Sequence, residues 1–249
     1  MRTKLAMIAR SGFAIAAVCL GGAFALDAGK LKDSLISFGD SDSPRCDLSL
    51  TGQQATRNLA WDGRATAAVA VPANIHYRRG QGDQVVVTGD SALVPHVEVV
   101  GGAVRLDCRI RGLRGTRLDV TLPGREFEGF TIAGVGDMTL ENIDQPDLKI
   151  TVAGAGNVAA SGNVKRLELQ VAGASDAKLA GLAVERVAVH IAGSSQIDVA
   201  PKDDLEANIV GSGTVMLHSE PKNIETHIIG SGRIVHPDGS VSASGHQHV

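Results

Sequence analysis

Apolar and polar residues alternate along the second half of the chain. Leu148, Ile150 and Val152 are followed by Leu167, Leu169 and Val171, by Val187, Val189 and Ile191, by Leu205, Ala207 and Ile209, and by Ile224, Thr226 and Ile228. A period of two predicts strands with one buried face. The runs close on a recurring phrase, first seen as Ile132-Ala133-Gly134-Val135-Gly136 and last as Ile228-Ile229-Gly230-Ser231-Gly232. Its leading glycines, Gly134, Gly154, Gly173, Gly193, Gly211 and Gly230, stand 20, 19, 20, 18 and 19 residues apart. Shorter alternations follow, as in Met138 and Leu140 or Ile197 and Val199, and then looser turns carrying Pro146, Gly162, Gly181, Pro201 or Pro221.

A unit of this length is too short for a βαβ element, which needs about 30 residues. It suits one coil of a β-solenoid, in which equivalent residues stack at about 4.8 Å. An antiparallel sandwich with strands at the same spacing is the alternative. Sharp corners between strands favour glycine, which adopts positive φ and leaves room where a Cβ does not fit. Stacking also predicts columns. Thr131, Thr151, Gln170, His190, Asn208 and His227 should face water, and Phe130, Ile150, Leu169, Val189, Ala207 and Thr226 should point inward.

Composition agrees with an aliphatic, layered core. The 249 residues are 43% hydrophobic but only 3% aromatic, and 30 are glycine. No Phe, Tyr or Trp lies between Thr131 and Val235, so this stretch offers no such ring for stacking sugars or bases. Twelve glycines fall in the same stretch, ten of them in the corners.

The first residues read as an address. Arg2, Lys4 and Arg10 precede an apolar run from Phe13 to Phe24, and Ala23-Phe24-Ala25 offers a cleavage site, so residues 1–25 are expected to be a secretory signal peptide. The run is too short to span a bilayer, which takes about 20 residues. Without this segment 21 Lys and Arg face 27 Asp and Glu, a net charge of −6. An acidic exported chain is not expected to seek nucleic acid. Cys46 and Cys108 remain and are a candidate disulfide in an oxidising compartment.

Chemistry-bearing patterns are sparse. Arg105, Arg109, Arg111, Arg114 and Arg117 fall within thirteen residues and could grip the anionic groups of an envelope polymer, or simply form a charged hairpin tip. Asp137, Asn157 and Asp176 recur three residues past successive corners; they are either a calcium ladder or turn residues bonding their own backbone. Nucleophile-elbow, zinc-protease, phosphate-loop and Cys-x-x-Cys motifs are absent. No catalytic residue, cofactor or resident metal is expected.

With its Gly-Ser-Gly and Ala-Gly-x-Gly corners, alternating strands and exported amino terminus, the chain resembles the putative auto-transporter adhesin, head GIN domain family over roughly residues 55–238. The resemblance implies a right-handed parallel β-helix and a cell-envelope or surface role, and it brings no enzyme activity. The expectation is therefore an all-β protein, a right-handed parallel β-helix or β-solenoid with coils of about 19 residues. Residues 26–54 would be a linker, 55–125 a less regular part, 126–238 six coils, and 239–249 a disordered tail. The functional expectation is a non-enzymatic, adhesin-like or structural protein of the periplasm or cell surface, with an unidentified envelope protein or polymer as partner and self-association through the solenoid ends. A polysaccharide-active enzyme and a polyanion-binding module using Arg105–Arg117 are the alternatives.

Overall fold

The computed structural model describes residues 45–110, 115–242 and 245–248. The signal segment and most of the linker lie outside them. Strands account for nearly all regular structure among the described residues: β1 (Arg45–Cys46), β2 (Gln54–Ala60), β3 (Thr66–Val69), β4 (Ala73–Arg78), β5 (Gln84–Asp90), β6 (Val97–Val100), β7 (Ala103–Leu106), β8 (Arg109–Ile110), β9 (Leu118–Thr121), β10 (Gly129–Val199), β11 (Pro201–Gly211), β12 (Thr214–Leu217), β13 (Asn223–Gly230), β14 (Arg233–Val235), β15 (Val241–Ser242) and β16 (Gly245–His248). Among the described residues a 3₁₀ turn, Val94–His96, precedes β6.

The pairing corrects the expectation of a right-handed parallel β-helix with coils of about 19 residues. Fourteen strands belong to one sheet of mixed orientation, nearly closed and barrel-like. β2–β5, β5–β9, β6–β7, β13–β16 and β14–β15 are antiparallel. β3 and β4 pair in parallel with β10, as β10 does with β11 and β11 with β13. The physical reason is simple: alternation reveals which side of a strand is buried, but it carries no information about the direction of the neighbour. The tail differs as well, since β15 and β16 lie where disorder was expected.

The 71 residues of β10 cannot run straight, because at about 3.3 Å per residue they would far outreach the molecule. They bend at Gly134, Gly154, Gly173 and Gly193, where φ lies between 120° and 140°. The bends sit one over another: a Cβ on Gly173 would stand 1.9 Å from the carbonyl oxygen of Gly154. The second corner position holds Ser175 and Ser195, both buried.

Phe130, Ile150, Leu169, Val189, Ala207 and Thr226 are all buried, as their column requires, while Thr131, Thr151, Gln170, His190 and Asn208 are half-buried and His227 is exposed. The core they build is aliphatic and continuous. Its four described rings stand together, with Phe127 5.1 Å from Trp61, 5.8 Å from Tyr77 and 5.5 Å from Phe130 between centroids. Tyr77 hides its hydroxyl by donating to the Arg125 carbonyl oxygen at 2.8 Å.

Candidate functional site

The outward residues of β10, β11 and β13 line a shallow groove of about 710 Å³. Strand alternation puts every second residue on this face, and the register sets them in rows. Arg186 is opposite Asp204 and then Asn223, and Ala188 is opposite Glu206 and then Glu225. Toward one end of the groove, charges of opposite sign are paired. Arg166 donates to both carboxylate oxygens of Asp147, and Lys149 Nζ lies 2.9 Å from Glu168. The hydrogen bonds from Arg166, with Arg186 nearby, hold the Asp147 carboxyl below its ordinary range. Toward the other end, Glu206 and Glu225 are direct neighbours of the same sign.

His190 lies between these ends. Asn208 Nδ2 reaches His190 Nδ1 at 3.3 Å and also donates to Glu206 Oε1 at 2.8 Å. Burial pushes the imidazole below its ordinary pKa, more than Glu206 and Glu168 raise it, and Lys149 adds to the lowering. The groove thus presents fixed charges and a ring that favours its neutral form. Sequence reasoning missed this groove as a site, although a usable signal existed: Asp147/Arg166 and Lys149/Glu168 are opposite charges that both stand 19 residues apart.

Of the five arginines, Arg105 and Arg117 are each engaged by an acidic side chain. Arg105 Nε is paired with Glu98 across the β6–β7 hairpin at 2.9 Å. Arg117 is paired with Asp137 and also reaches Asn74 at 3.3 Å. Arg109 lies on β8, and Arg111 and Arg114 lie outside the described residues. Asp137, meanwhile, accepts from the backbone N and Nδ2 of Asn157 at 3.0 and 2.7 Å. Burial raises its pKa, but the bonds from Arg117 and Asn157 outweigh that and leave it lowered. Its oxygens are therefore engaged by protein donors, while Asp176, past the Gly173 bend, is exposed.

Cys46 and Cys108 are joined in a disulfide, with Cα atoms 5.8 Å apart. His96 Nδ1 lies 3.9 and 3.8 Å from the two sulfurs and 3.0 Å from Asp107 Oδ1. Spacing along the chain showed the cysteines but not these two neighbours, which the β6–β7 hairpin delivers.

A family model described as "Putative auto-transporter adhesin, head GIN domain" matches residues 67–221. The chain belongs to this family. Among solved structures, the head GIN chain is similar to a "putative adhesin" from Bacteroides fragilis at 18% identity, covering 76% of this chain and 99% of that one with a TM-score of 0.58. That likeness is one of fold. A "putative lipid binding protein" from Parabacteroides distasonis and a "putative adhesin" from Parabacteroides merdae share 19% and 15% identity, each covering 76% of this chain and 98% of its own, with TM-scores of 0.43. No curated protein matches the chain in sequence. Among the described residues no helix is long and apolar enough to cross a membrane.

Proposed function

We propose that this head GIN chain is an exported, non-enzymatic, adhesin-like binding protein of the cell envelope, and that the groove on β10, β11 and β13 is its binding face. The observation that carries this reading is the arrangement of Glu206 and Glu225. Like charges directly opposite each other weaken a sheet, and neither has an ion-pair partner among the described residues. A partner presenting positive charge, such as a basic peptide segment or an amino-bearing polymer, would relieve the repulsion and gain from the acidic end of the groove. Family membership supports the adhesin-like role.

The test is binding of the purified chain to intact cells and isolated envelopes. Glu206→Gln together with Glu225→Gln should cut binding several-fold while leaving the fold intact, and incubation with envelope polysaccharides should release no new reducing ends. Undiminished binding by the double variant, or turnover on a polysaccharide, would sink the proposal.

A further inference from the structure

The surroundings of the disulfide are built for more than a cross-link. Cys46, His96, Asp107 and Cys108 bring four ligand atoms within 4.8 Å of one another. Tetrahedral zinc, with Zn–S about 2.3 Å and Zn–N about 2.0–2.1 Å, needs S···N edges near 3.6 Å, an N···O edge near 3.3 Å and an S···S edge near 3.8 Å. The two S···N separations of 3.9 and 3.8 Å and the N···O separation of 3.0 Å already lie close to those values. Two changes would complete the set: the bond between the sulfurs must open, and the Asp107 carboxylate, within 4.8 Å of the other ligand atoms, must close on them. We propose that the bridge is one state of a redox-gated metal site, and that the reduced protein binds a thiophilic cation such as Zn²⁺ through Cys46, Cys108, His96 and Asp107.

Backbone and side-chain contacts besides the bridge brace this geometry. β1 and β8 pair through Arg45↔Arg109 and Cys46↔Ile110, which sets the cysteine-bearing segments side by side. In the hairpin, the Asp107 N–H donates to the His96 carbonyl oxygen at 2.9 Å. Arg57 pins the turn that carries His96, donating to the carbonyl oxygens of Pro95 and Val97 at 2.7 and 3.0 Å. Cys108 is 5% exposed, whereas the Asp107 side chain is 48% exposed and leaves a path from solvent.

The exchange balances. A dithiol reductant gives two electrons and two protons to the bridge and is itself oxidised to a disulfide, leaving both cysteines as thiols. Zn²⁺ then displaces the two thiol protons into solvent and binds the sulfurs as thiolates. His96 binds as neutral imidazole through Nδ1 with its proton on Nε2, and the ion takes the place between Nδ1 and Asp107 Oδ1. Reoxidation by a thiol oxidant reverses the sequence and expels the ion, because a disulfide offers no thiolate.

Zn²⁺ and Co²⁺ titration of the full chain, oxidised and after treatment with a phosphine reductant, tests this directly. The reduced chain should take up one ion with a thiolate-to-cobalt charge-transfer band, the oxidised chain should show no band, and His96→Ala and Asp107→Asn should each weaken uptake at least tenfold. Equal uptake by both redox forms, no stoichiometric uptake by the reduced form, or full uptake by both variants would overturn the site. Where reduction itself loosens the hairpin, Zn²⁺ should restore the circular dichroism of the oxidised chain, and failure to restore it counts equally against the proposal.

Discussion

At the scale of single residues, the corner glycines separate two demands that the sequence presents as one. Gly134 and Gly173 both have positive φ, at 120° and 136°. Around Gly134 a Cβ would meet nothing within 4 Å, whereas on Gly173 it would strike the backbone of Gly154 at 1.9 Å. Gly134→Ala should therefore cost about 1–3 kcal/mol, the price of backbone strain alone. Gly173→Ala adds a clash between main chains that no side-chain rotation relieves, and should cost more than about 4 kcal/mol or abolish soluble expression. Equal urea midpoints for the two variants would show that the stacking of bends contributes little. His190 has a different residue-scale consequence. Its pKa is lowered by burial, so between the folded value and about 6.5 the unfolded chain binds more protons. Stability should thus fall as pH drops through that window, with His190→Gln flattening the dependence. Urea midpoints measured from pH 5 to 7.5 decide it, and an unchanged slope in the variant would remove His190 as the cause.

At the scale of elements, the alternation of β10, β11 and β13 was legible because burial imposes a period of two, and each inward residue of that column is indeed buried. The bends were legible because only glycine satisfies both the φ and the space at Gly154, Gly173 and Gly193. Strand direction was not. The antiparallel pair β6–β7 arises from a hairpin return and β2–β5 from a pairing that spans β3 and β4, both in the irregular half, where no repeated phrase exists to align one strand with another. The groove escaped for a related reason. Asp147, Lys149, Arg166 and Glu168 look like scattered surface charges until register sets them side by side, and the closeness of His96 to Cys46 and Cys108 depends on a hairpin and a β1–β8 pair of two residues each.

At the scale of the whole molecule, the scarcity of aromatics acquires a location. Trp61, Tyr77, Phe127 and Phe130 form one cluster at the place where β4 and the start of β10 lie in parallel register. The irregular half and the aliphatic half thus share their largest side chains, and buried aromatic contacts contribute beyond their area. Phe127 is completely buried and touches the other three rings, so Phe127→Ala should cost about 3–5 kcal/mol. More informative is how that loss is distributed. Trp61 is the only tryptophan in the chain, so its fluorescence reports the irregular half while far-ultraviolet circular dichroism reports the strands as a whole. If the cluster couples the halves, both signals should shift by the same amount in the variant and remain coincident, as expected of one cooperative unit. A tryptophan transition that moves early while the circular dichroism transition stays in place would show instead that the two halves fold independently and that the rings stabilise only their own end.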